Sequence, residues 1–321
     1  MEKWLYTAVC LETEICRRQF PKFYGHAVDM ERRGRVRLMK RTDTFFVIHN
    51  FNTVPEEILA YCKDYIIYDA STEQKITEEL RKRGYRYVHV ENTGHNITTY
   101  FRYFADYYEE LPEYMCLCKG NMLGRHCSKE YFGRVYDNKY FTYLYEDKNI
   151  AEKLRQQGIG QEGDMMERLI SESHFLEENT SWYVESPNHP HRYFDEYNSL
   201  LSFVYKKPVL PKYNVFAPGA CYIVNRSQVR KHSPEFYRNM NKIMSYGMNP
   251  SFPSEAHQVE RMLPVIFCET YEENEWMNDE AAFGQKIEER IPLIQFQDSI
   301  RGKRMKKLRR LEYRLRKGIG F

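Results

Sequence analysis

In the first half of the chain, short apolar runs alternate with amphipathic stretches. Thr44–His49 (TFFVIH) is β-branched and aromatic and predicts a strand, after which Pro55 sits at the first position of a helix over Glu56–Cys62. Tyr65–Tyr68 (YIIY) predicts a second strand, and Thr72–Arg83 a helix closed by Gly84. Tyr85–Val90 predicts a third strand, Ile97–Leu111 an aromatic-rich helix, and Tyr114–Cys118 (YMCLC) a fourth strand. Strands alternating with helices in this way predict an α/β fold with a parallel, doubly wound sheet covered on both faces.

The second half is less regular. Ser128 can cap a helix over Glu130–Tyr136, and Phe141–Tyr145 has strand character. Gly158, Gly160 and Gly163 mark a loop. Tyr193–Tyr205 predicts a helix, and Tyr213–Phe216 and Cys221–Val224 predict strands either side of the turn Ala217-Pro-Gly-Ala220. Helices are expected over Pro234–Tyr246 and over Glu255–Leu263, the latter capped by Ser254 and stopped by Pro264. These elements suggest an N-terminal segment (1–40) packed on a core domain (41–270). A linker or surface segment (271–300) and a tail (301–321) follow.

Charge changes the picture mainly at the tail. The net charge of +3 conceals ten Lys or Arg and one acid between Arg301 and Lys317, leaving 38 basic against 44 acidic residues elsewhere, a net of −6. A nucleic-acid partner is not expected for such a globule. Met305, Leu308, Leu311, Leu315 and Ile319 recur at steps of three and four among the tail's cations, the pattern of a basic amphipathic helix suited to an anionic membrane surface. Packing on its own domain and RNA binding are the alternatives. No run reaches the ~18 apolar residues of a membrane span, and residues 1–22 lack a secretory pattern. The expectation is a cytoplasmic protein, peripheral on the inner face of a membrane. Eight cysteines without a CxxC pair read as buried free thiols in a reducing compartment.

In doubly wound sheets ligands bind beyond the carboxyl ends of the strands. Those ends carry His49 and Asn50, Asp69, Asn92 and Gly94, and Lys119 and Asn121, with Arg125 and His126 close behind. The absence of GxGxxG after the first strand and of GxxxxGK[ST] argues against dinucleotide and P-loop chemistry. Lys119 and Arg125 suit a diphosphate, or are solvated residues of a plain turn. Asp69 suits a ribose or base edge, or a helix cap. On the 254–263 helix, Ala256, Val259 and Leu263 share an apolar face with Glu260 at its edge, while Glu255 and His257 flank the helix start. A carboxylate there can act as general base toward a hydroxyl. Alternatively Glu255 complements the helix dipole, His257 caps the first turn and Glu260 pairs with a buried Arg. No metal ligand set stands out: Cys116 and Cys118 lie two apart on a strand, and His189-Pro-His191 lacks a third ligand.

Two segments carry a resemblance. Val90–Asn121 (VENTGHNITTYFRYFADYYEELPEYMCLCKGN) and Ala217–Phe267, with its APGACYIVN turn and strand, its PEFY helix and its EAHQVER run, resemble an uncharacterised bacterial glycosyltransferase-like family of GT-A-type outline, whose members occur with capsule and lipopolysaccharide genes. The resemblance implies a doubly wound mixed sheet flanked by helices, with a nucleotide half over 41–127 and an acceptor half over 128–270. It implies transfer of a sugar from a nucleotide-sugar donor to a cell-surface polysaccharide or lipid-linked acceptor. Glu255 would be the base of an inverting reaction, with Glu260 as a second catalytic carboxylate. His49, Asn50, Asp69, Asn92, Gly94, Lys119, Asn121, Arg125, His126 and His257 would contact substrate. Many such enzymes hold a divalent ion on an Asp-x-Asp; the corresponding strand end reads Lys119-Gly-Asn121, so cofactor use is open between none and Mn2+ or Mg2+. The alternative is a non-catalytic nucleotide- or glycan-binding protein of the same fold.

Overall fold

The computed structural model describes residues 41–146, 175–179, 191–211, 213–246 and 253–298, and singly 304, 305, 307, 308 and 311. The chain divides after Lys40, and the description concerns the unit from Arg41 onward; the expected packing of 1–40 lies outside the described residues.

Four strands, β1 (Phe45–Asn50), β2 (Tyr65–Asp69), β3 (Tyr87–His89) and β4 (Tyr114–Lys119), form a parallel array in the order β3-β2-β1-β4. Two short strands, β5 (Thr142–Tyr143) and β8 (Tyr222–Asn225), complete a six-stranded mixed sheet: β8 is antiparallel to β4, and β5 antiparallel to β8. Strands β6 (Phe175–Glu178) and β7 (Tyr213–Phe216) form a separate antiparallel pair. The fold is therefore α/β with a mixed sheet flanked by helices.

Strand periodicity sorts the core onto two faces. Phe46, Ile48, Ile67, Cys116, Cys118 and Ile223 point to one face. There they meet α1 (Glu56–Leu59), α2 (Gln74–Lys82) and α4 (Lys129–Val135) through Ile58, Leu80 and Phe132. Val47, Ile66, Tyr68, Met115, Leu117 and Tyr222 point the other way. They meet α3 (His95–Asp106), α7 (Pro234–Met244) and α8 (Ser254–Cys268), with α5 (Tyr197–Val204) adding Leu200 and Leu201 and the short α6 (Arg226–Val229) adding Val229. Five of the described cysteines are buried free thiols, as expected. Burial pushes the Cys62 and Cys221 thiols up to about 12, so neither is a nucleophile near neutrality.

Three expectations about elements need correction. Helix α8 does not stop at Pro264 but runs on to Cys268. Proline removes one amide donor from the ladder, and burial of Ile266 and Phe267 outweighs that loss. The segment 271–300 is not a bare linker. It contains a 3-10 turn (Glu275–Asn278), α9 (Glu280–Glu288) and α10 (Arg290–Asp298), which bury Met277, Phe283, Ile287 and Ile294. The start of α9 is signalled by Asp279, whose carboxylate accepts the Ala282 amide. Finally, β6 has no counterpart among the expected strands.

Candidate functional site

The register places His49 beside Lys119 and Asn50 beside Asp69 at the carboxyl edge of the sheet. The two pairs differ in how completely their polar atoms are used.

On the β1–β2 side the Asp69 carboxylate is fully buried. One oxygen accepts from Asn50 Nδ2 at 3.0 Å, the Ser71 hydroxyl at 2.6 Å and the Ser71 amide at 3.3 Å; the other accepts from Thr77 Oγ1 of α2 at 2.7 Å. These bonds pin the β2–α2 connection. Asp69 is not the expected N-terminal cap of α2, which is Glu73; its carboxylate instead ties the β2–α2 connection together from within. Asn50 Oδ1 is buried and has no partner among the described residues.

On the β1–β4 side the polar atoms are left open. Lys119 is half-buried, and its ammonium forms no ion pair or hydrogen bond among the described residues. Arg125 and Asn121 are exposed. His49, buried at the end of β1, bonds through Nδ1 to Thr99 Oγ1 of α3 at 2.9 Å. Burial, and then the Lys119 ammonium, pull its imidazole down to about 3, with Asp69 acting in the opposite direction. Burial, then Lys119 and Arg125, likewise pull His126 down to about 3, and its Nε2 is buried without a partner among the described residues. Near neutrality this edge therefore holds fixed cations beside two uncharged imidazoles. Asn92, on the β3–α3 loop, also carries a buried Oδ1 without a partner among the described residues.

The turn 217–220 closes this region. Gly219 has φ +94°, and a Cβ there would lie 2.6 Å from the His126 ring, so only glycine fits. Asn96, at the start of α3, donates to the carbonyls of Gly219 and Ala220 at 3.0 and 3.3 Å. The Gly219 amide donates to Glu260 Oε1 at 2.7 Å. Glu260 Oε2 accepts from Arg261 at 2.8 Å, and Arg261 also pairs with Glu177 of β6 while lying 4.4 Å over the Phe216 ring. Glu260 therefore pairs with a buried Arg, one of the two expectations, and in addition holds the turn against His126. The His257 ring stands 5.6 Å from that of His95. Gly94 has φ +54° and is enclosed: a Cβ would meet Thr98 at 2.4 Å and Met244 at 2.9 Å. Its fitness is for packing rather than for approach of a ligand.

Glu255 does not project into this region. It is fully buried; Oε1 accepts the amides of Arg192, Tyr193 and Phe194 at 2.9, 2.8 and 3.2 Å, and Oε2 accepts from Tyr246 at 2.7 Å and Ser254 at 3.5 Å. A general base needs a lone pair facing its substrate. This carboxylate is instead surrounded by five donors and ties α8 to the 192–194 loop.

Sequence reasoning missed Thr99 and Gly219 as parts of the site. The signals available were the Thr98-Thr99 pair within an aromatic helix and the glycine of the APGA turn. Among the described residues no group of three or more His, Cys, Asp or Glu is arranged to hold a divalent ion, and the strand end where an acidic pair would stand carries Lys119. A separate open hollow of about 430 Å³, lined by Glu196, Ser199, Ser202, Trp276 and Arg290 among others, shares no residue with the strand ends. Compared with family models, with curated proteins and with solved structures, the chain matches none.

Proposed function

We propose that the chain is a glycosyltransferase that binds a nucleotide-sugar at the β1–β4 edge and passes the sugar to a glycan or lipid-linked acceptor. The observation that carries the reading is Lys119. It is an ammonium without an ion-pair partner among the described residues, held at a strand end beside exposed Arg125 and two imidazoles that burial keeps neutral. In an inverting displacement the acceptor oxygen bonds to the anomeric carbon as the bond to the diphosphate breaks. Lys119 and Arg125 would take up the charge of the departing diphosphate, and the uncharged imidazoles of His49 and His126 could hydrogen-bond to it without competing with Lys119 for its charge. The acceptor's proton would go to Glu260 in place of the enclosed Glu255: its side chain keeps 17% exposure, and each of its oxygens accepts a single bond, from Gly219 or Arg261, which leaves a second lone pair on each. The mixed α/β sheet and the polar residues at its strand ends support this reading.

A second reading, a nucleotide- or glycan-binding protein without turnover, is favoured by the closed environment of Glu255. Incubation of the protein with a panel of nucleotide-sugars, followed by mass spectrometry, separates the two. Release of a nucleoside diphosphate from one donor supports transfer, binding without release supports the second reading, and neither binding nor release overturns both.

A further inference from the structure

We propose that residues 301–321 dock the protein on an anionic lipid surface, a role that does not depend on the transfer reading. Residues 304, 305, 307, 308 and 311 are helical, and Met305, Leu308 and Leu311 are 37%, 64% and 37% exposed. Leu315 and Ile319 continue the same three- and four-residue spacing in the sequence, and ten Lys or Arg accompany the stripe against the single acid Glu312.

The occupant follows from what each partner would reward. A nucleic-acid backbone rewards the cations and gains nothing from an exposed leucine stripe. A second copy of the segment would cover the stripe but bring two strongly positive surfaces together. An anionic membrane surface rewards both features, because cations attract the headgroups while the apolar face enters the acyl boundary. The rest of the chain carries a net of −6, so its overall charge adds no attraction to such a surface. No helix among the described residues is long and apolar enough to cross a membrane, so attachment would be peripheral.

The test is flotation of the full chain with phosphatidylcholine vesicles, with and without phosphatidylglycerol. The expected result is binding only to the anionic vesicles and release by high salt. Arg304→Gln with Lys307→Gln should weaken binding by about 30-fold, and Leu308→Glu should weaken it by at least about tenfold. All three positions are exposed, so thermal melting should not change and a loss of binding cannot be ascribed to misfolding. Equal partition onto neutral vesicles, or binding insensitive to both sets of substitutions, overturns the proposal. So does a duplex RNA bound more tightly than the anionic vesicles, with Leu308→Glu leaving that binding intact.

Discussion

The two halves of the sheet's carboxyl edge contain similar polar residues and put them to opposite use. Around Asp69 both carboxylate oxygens are engaged by neighbouring donors, and the group is sealed from water. Around Lys119, on the other side of β1, the ammonium is left without a protein partner among the described residues, and the two histidines beside it are held uncharged. A buried charge with a full set of partners serves the fold, because removing it leaves every partner unsatisfied. A charge that the fold leaves unpaired is available for a ligand. Glu255 belongs with Asp69 on this criterion, and Arg125 with Lys119.

Substitutions should separate the two halves by readout. The largest effect is expected at Asp69→Ala, which strands Asn50, Ser71 and Thr77 and should cost about 3 kcal/mol in chemical denaturation. Stability close to that of the parent would show that the closed half is not structural. Glu255→Gln is milder: the amide oxygen can still accept from the three loop amides, and the NH2 turns to Tyr246, whose hydroxyl can accept. A loss of about 1–2 kcal/mol is expected, and any fall in activity should track the folded fraction. An unaltered melting curve with abolished transfer would return Glu255 to the role of base.

Acid provides a test of the open half. His49 ionises near 3 in the folded chain and near 6.5 when unfolded, so between these values the unfolded state binds the extra proton. Stability should therefore fall as pH drops below about 6.5, by up to about 1.4 kcal/mol per pH unit from this group. In His49→Gln the slope between pH 6 and pH 4 should be shallower by that amount. Parallel slopes would mean that His49 is not held neutral. Smallest of all should be the effect of Lys119→Ala on stability, within about 0.5 kcal/mol, since no partner among the described residues is lost.

The strand ends were legible because a buried β-branched run that stops at a polar residue marks its own terminus; His49, Asp69 and Lys119 could all be placed on one edge from sequence alone. What sequence could not supply was the state of each polar atom. Glu255 and Glu260 lie five residues apart on one helix, yet one meets three loop amides and the other a turn more than 40 positions away in the chain. Those partners come from the tertiary fold, and no local pattern distinguishes them. Pro264 misled for a related reason: a local rule about helix termination lost to the burial of Ile266 and Phe267. In 271–300 acids crowd the first ten positions, and Gly284 and Pro292 stand inside α9 and α10, so the periodicity of these helices was hard to read.

The central claim, that the β1–β4 edge is an open anion site, is tested most directly by calorimetric titration of nucleoside diphosphates into the parent protein and Lys119→Ala. The account predicts that the parent binds at least one of them, and that the variant binds it at least about tenfold more weakly with an unchanged melting curve. Equal affinity in the two proteins, or no binding by the parent, would contradict it.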